Sequence, residues 1–191
     1  MSKNQERIRN LTLSAMFMAL GLVLPLLTGQ IKQIGSMLLP MHIPVLLCGL
    51  ICGWPYGLVV GFITPLLRGF IFGMPVFYPS GLAMAFELAT YGAVIGFLYS
   101  HSRWQCIISL YRCMIIAMLA GRAVWGVAEV ILLGIKQNTF TFQAFIAGAF
   151  LNAIPGIILQ LVLIPAVMVA LNRTGLVRFK VKSKEPERVE E

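Results

Sequence analysis

The sequence predicts an all-α integral membrane protein, a bundle of six transmembrane helices with both termini cytoplasmic. Three observations carry this. First, 59% of the 191 residues are hydrophobic and 12% are charged, with seven Glu and no Asp. Soluble domains run about 45–50% apolar and about 25% charged. Second, apolar runs separated by short polar or Gly/Pro-rich breaks recur six times along the chain. Third, the net charge of +8 is sorted rather than spread. Lys3, Arg7 and Arg9 precede the first run, and Arg173, Arg178, Lys180, Lys182 and Lys184 follow the last. Arg103, Arg112 and Arg188 bring the side of the termini to eleven of fifteen cations, against Lys32 and Lys136 opposite. Cytoplasmic flanks carry the excess of Lys and Arg, which orients the bundle.

The first span is read over residues 8–27, IRNLTLSAMFMALGLVLPLL, and ends at the polar stretch TGQIKQIGSM. The second, 39–52, opens LLPMHIPVLLCG and is short for the ~20 residues that a crossing needs, so a tilted or re-entrant element is kept open for it. GWPYG at 53–57 reads as a tight turn. The third span covers 57–72, GMPVFYPSG at 73–81 connects it onward, and the fourth covers 81–100. HSRWQ at 101–105 breaks the pattern before the fifth span, 107–134. IKQNTFTFQ at 135–143 precedes the sixth, 144–171. Residues 1–172 are expected to form one domain, and 173–191 a charged cytoplasmic tail.

The same features exclude several functions. Six spans use nearly the whole chain and leave no soluble catalytic domain. No basic patch with interleaved aromatics lies away from the ends, so no nucleic-acid partner is expected. Cys48 and Cys52 are one helical turn apart without a nearby His or carboxylate, which reads as apolar filling rather than metal binding. The first apolar run is about 18 residues, too long for a signal-peptide core, and no small-x-small cleavage site follows it. No cofactor is expected.

Arg68, Glu87, Arg122 and Glu129 are the anomalies, ions inside apolar spans. Each costs about 2.5–3.5 kcal/mol at a helix centre, so such residues face a bundle interior, pair, or mark a functional site. Arg122, Trp125, Gly126 and Glu129 fall at i, i+3, i+4 and i+7, on one helix face. Glu87, Thr90, Tyr91 and Val94 share that spacing, and Asn152 lies four residues from both Gly148 and Gly156. These faces would line one cavity open to the outside; the competing reading is two structural ion pairs in a packed polar core. Arg68 and Glu87 flank FGMPVFYPS, expected to be a lid shaped by Gly73, Pro75, Pro79 and Gly81, the two charges forming a site wall or a pair that holds the lid shut. Ala15 and Ala19 form a small-xxx-small pair that lets another helix approach closely.

Over residues 7–172 the chain resembles the substrate-binding S components of energy-coupling factor (ECF) vitamin transporters. The resemblance rests on the six-span plan, LSAMFMALG with its Ala15/Ala19 pair, HIPVLLCGLICG after an outer loop, and MAFELATYG opening the fourth span. It implies a multi-pass protein of a prokaryotic plasma membrane, surrounded by lipid. Such a protein is not an enzyme but captures a vitamin-like small molecule from outside. A transmembrane coupling subunit and two ATPase subunits then drive release inside. It implies that Ala15 and Ala19 contact the coupling subunit. It marks His42, Tyr78, Glu87, Tyr91, Arg122, Trp125, Glu129 and Asn152 as substrate-binding candidates, to which the span analysis adds Arg68. The absence of G-x-x-x-x-G-K-[ST] fits ATP hydrolysis supplied by other chains.

The residues themselves constrain the ligand. An arginine suits a carboxylate or phosphate, a buried glutamate suits a hydroxyl or amine, and Trp125 and Tyr91 offer ring faces. With two arginines available, pantothenate is preferred over a pyridine or pyrimidine vitamin or precursor. That preference disappears if both arginines are neutralised by the glutamates. The main rival is a self-contained proton- or ion-coupled secondary transporter, using the intramembrane carboxylates as relays. No repeat between the two halves supports it. An intramembrane enzyme fares worse, since His42 and His101 are the only histidines and are expected on opposite sides.

Overall fold

Among the described residues, six α-helices follow in chain order: α1 (Lys3–Val23), α2 (His42–Cys52), α3 (Trp54–Phe72), α4 (Leu82–His101), α5 (Ile107–Ile135) and α6 (Ile154–Arg173). The computed structural model describes residues 3–28, 37–102, 106–135 and 153–173. Among these there is no strand. A 3-10 segment, Leu24–Thr28, extends α1, and a single wide turn, Phe77–Gly81, leads into α4. The charged tail beyond Arg173 and the first ten residues of the expected sixth span, 144–153, lie outside the described residues except for Ala153.

Five of these segments are long and apolar enough to cross a membrane; the shortest, Trp54–Phe72, has 19 residues. At about 1.5 Å per residue that is near the ~30 Å of a hydrocarbon core. Helix α2, the short second span, has 11 residues, about half that depth. Its composition explains why it still belongs in the bundle. Ten of its residues, His42 to Leu50 and Cys52, are buried. A helix apolar all round is a core helix, and α2 packs against α1, α3, α4 and α6 rather than lipid.

The turn read at 53–57 contracts to one residue. Gly53 has φ 96°, which side-chain-bearing residues rarely adopt. Trp54 and Pro55 already belong to α3, where proline in the first turn removes no helical hydrogen bond. Helices α2 and α3 are thus a tight hairpin, and α4 packs across both. The packing is backbone to backbone. A Cβ on Gly57 would sit 2.7 Å from Gly49 Cα and 2.7 Å from the Gly92 carbonyl oxygen. One on Gly96 would sit 2.6 Å from Trp54 N, and one on Gly61 would collide with the Leu88 carbonyl. This glycine seam sets the register of α2, α3 and α4 in the way that small residues do in membrane bundles.

Side chains fill the rest. Ile43, Leu46, Leu47 and Leu50 of α2 meet Tyr91, Ile95 and Tyr99 of α4, Met114 and Met118 of α5, and Ile164 and Met168 of α6. A second cluster joins Val45 and Cys48 to Val60 and Leu88 on the α1 side. Cys48 and Cys52 are buried free thiols, with Cys48 donating to Ser14 Oγ at 3.6 Å. The outward faces carry Ile108, Ile115, Leu119, Val127, Ile131, Ile158 and Val162 exposed, as a lipid-facing surface requires.

Candidate functional site

At the end of the bundle where α2 begins, polar side chains converge in the interior. The backbone arranges this locally. Leu39 has φ +49°, an uncommon conformation for a bulky residue, and His42 N–H donates to its carbonyl at 3.1 Å. Strain of this kind is of order 1–3 kcal/mol and clusters at functional sites. It delivers His42 as the first residue of α2, with a relative exposure of 2%. Glu87 lies five residues into α4 and is 1% exposed; Arg122, mid-way along α5, is 5% exposed.

Arg122 Nη1 approaches Glu87 Oε1 at 2.9 Å, and His42 Nε2 lies 3.5 Å from the same oxygen. The His42 ring stands edge-on to Tyr91, with centroids 5.2 Å apart. Tyr91, one turn below Glu87, packs its ring against Gly121, the residue before Arg122. The cluster therefore draws on three helices: His42 from α2, Glu87 and Tyr91 from α4, Arg122 from α5.

Geometry leaves much of this chemistry unmet. Among the described residues, His42 Nδ1 and Nε2, Arg122 Nε and Nη2, and Glu87 Oε1 are buried without a hydrogen bond. The Glu87–Arg122 contact is thus a charge contact lacking hydrogen-bond alignment. Each unmet buried group costs about 1–3 kcal/mol. Several lie together at this end of the bundle, which makes it the candidate site.

Gln160 is a further buried polar side chain on α6, and sequence reasoning missed it. It is 1% exposed, and its Nε2 has no partner among the described residues. Gly156 approaches Met37 and Leu38, just before α2. One turn further along α6, Gln160 then comes level with His42. The signal was in the spacing: the series Gly148, Asn152, Gly156 continues by four to Gln160. Asn152, Gly148 and Ala149 lie outside the described residues.

The remaining candidates are placed as follows. Glu129 is buried at 5% exposure, two turns along α5 from Arg122, with no hydrogen bond or ion pair among the described residues. Trp125 is half-buried between them, packed with Ala128 and Leu132 of its own helix and Ala83 of α4. Tyr78, in the connection before α4, donates its hydroxyl to the Leu132 carbonyl of α5. That connection is compact: Gly81 N–H donates to the Val76 carbonyl at 2.8 Å.

Arg68 does not join the cluster. Its Nη1 donates to the Leu22 carbonyl of α1 at 3.0 Å, and its guanidinium lies 5.5 Å from the Phe72 ring. Gly61 meets Leu88, so the residue of α3 level with Glu87 is near 62. Arg68 is six residues, about 9 Å, further along. Glu87 thus meets Arg122 and His42 rather than Arg68, the nearer in sequence of the two intramembrane arginines. Ala15 and Ala19 are both exposed on α1, beside exposed Leu11, Met16 and Leu20.

A buried constellation of this kind can hold a polar small molecule through several oriented hydrogen bonds. Among the described residues no group of three His, Cys, Asp or Glu could hold a metal ion. A sequence model of one protein family, described as ECF transporter, substrate-specific component, matches residues 9–168. No curated protein and no solved structure gives a significant match.

Proposed function

Because this chain belongs to the family of ECF transporter substrate-specific components, we propose that it captures a water-soluble vitamin or precursor from the extracellular side and delivers it through a coupling subunit driven by separate ATPases. One observation carries the reading: the buried, incompletely hydrogen-bonded cluster of His42, Glu87 and Arg122. A structural ion-pair core would have its donors and acceptors matched. A binding site keeps them unmet until the ligand arrives.

The basic flanks support a bundle whose His42 end faces outside. There the Phe77–Gly81 turn, tethered by Tyr78, is the lid, and Tyr91 and Trp125 supply ring contacts. Asn152 is proposed to face the site from the sixth span. The exposed Ala15 and Ala19 supply the flat helix face for the coupling subunit, where the backbones of two helices can approach closely.

The preference for pantothenate rests on two available arginines. Arg68 is engaged by Leu22 and Arg122 by Glu87, so that support for an acid lapses. A pyridine or pyrimidine vitamin or precursor gains by it.

Reconstitution tests the role. Proteoliposomes holding this chain, a coupling subunit and the two ATPases should accumulate the vitamin released from the purified protein only when ATP is enclosed. Accumulation by this chain alone under an ion gradient would establish the secondary-transporter alternative instead.

A further inference from the structure

The arrangement of charge in the site points to the chemical class of its ligand; the inference rests on the substrate-capture role just proposed. Two carboxylates, Glu87 and Glu129, are buried near a single guanidinium, that of Arg122. Arg122 is in contact with Glu87. Glu129 shares the Arg122 face of α5, lies in the field of Glu87, and has no cation in contact among the described residues. The other intramembrane arginine, Arg68, is bonded to Leu22 and displaced along α3. A ligand anion entering here would compete with Glu87 for that one guanidinium. A ligand cation would balance the carboxylate that has none.

The unmet atoms sharpen this. Arg122 Nε and Nη2 and Gln160 Nε2 are buried donors without acceptors among the described residues. They call for lone pairs on the ligand, which neutral ring nitrogens or hydroxyls provide without adding charge. Glu129, about two helical turns from Arg122, calls for a donor at the other end. Trp125, between the two charges, provides aromatic surface for a flat ring. An acceptor end, a flat middle and a donor end describe an elongated molecule.

We propose that the ligand is a nitrogen heterocycle bearing an amine or a fixed positive charge, its ring acceptors at Arg122 and Gln160 and its cationic end at Glu129, and that acid anions are discriminated against. Glu129 is then the residue that sets the charge of the ligand, and Arg122 and Gln160 set its orientation.

The test is a charge series on the purified full chain in lipid nanodiscs, titrated by tryptophan fluorescence. The probes are thiamine, a fixed cation; its neutral hydroxymethyl aminopyrimidine portion; and the anions pantothenate and nicotinate. The expected order is cation and neutral aminopyrimidine well ahead of both anions. Glu129→Gln is expected to weaken thiamine by at least about tenfold and the neutral ring by much less. Tighter binding of either anion overturns the ligand class and leaves the substrate-capture role standing. Failure of every probe overturns both. Equal losses for thiamine and the neutral ring in Glu129→Gln overturn the assignment of Glu129. The series on the unsubstituted chain decides the class even if that variant folds poorly.

Discussion

Replacing Gly57 by alanine would place one methyl group where three helices meet. The new Cβ would lie 2.7 Å from Gly49 Cα on α2, 2.7 Å from the Gly92 carbonyl oxygen and 2.9 Å from its carbon on α4. Ordinary van der Waals contact begins near 3.4 Å, so each neighbour must retreat by roughly 0.7 Å, the difference between the two distances. All of these atoms are backbone, and no rotamer change relieves the clash. Overpacking of a filled core costs about 1–3 kcal/mol, and a clash with two helices at once puts this substitution at the upper end. For a chain of this size about 1 kcal/mol moves Tm by about 2–4 °C, so Gly57→Ala should lower Tm by roughly 5–10 °C. Buried Cys48, Cys52 and Cys113 make a thiol-reactive fluorophore a direct reporter of unfolding in detergent. Gly134→Ala is the control: nothing lies within 4 Å of its Cβ position among the described residues, and alanine favours helix by up to about 1 kcal/mol. Its Tm should hold or rise slightly. A Gly57→Ala protein as stable as the Gly134→Ala control would refute the backbone contact and the register derived from it.

Three further outcomes are expected. Glu87→Gln leaves the Arg122 charge buried and uncompensated, a loss of about 3–5 kcal/mol; adding Arg122→Met should restore most of the Tm, and a double variant no better than the single one would sink the pairing. Gln160→Met removes an unmet buried amide, so the ligand-free protein should melt higher while affinity for the released vitamin falls; unchanged affinity would remove Gln160 from the site. Tyr78→Phe deletes the hydrogen bond to Leu132, worth about 1 kcal/mol, and should speed ligand dissociation several-fold in stopped-flow tryptophan fluorescence, with little change in Tm; an unaltered rate would show that the connection does not gate the site.

Much of the architecture was legible along the chain. The expected third, fourth and fifth spans, 57–72, 81–100 and 107–134, meet helices at Trp54–Phe72, Leu82–His101 and Ile107–Ile135 within a few residues. Lipid demands long apolar helices, and that demand is written in composition. Glu87, Arg122 and Glu129 stood out for the same reason, since an ion in an apolar run is costly wherever the helix is placed. The short second span was visible as an anomaly of length. Its role as the buried core of the bundle was not, because burial depends on the neighbours.

Which ions meet was decided by the tertiary structure alone. Proximity in sequence suggested Arg68 with Glu87, across one connection. The glycines at 49, 57, 61, 92 and 96 instead slide α2, α3 and α4 into a register in which Arg68 lies about 9 Å past Glu87. Gln160 comes level with His42 because Gly156 lets α6 close on Met37 and Leu38. The chain by itself determines that helices form, which stretches are apolar and which polar groups they carry into the bundle. Contacts between those groups depend on the axial offset of one helix against another, a property of two surfaces at once, and only the packed bundle contains it.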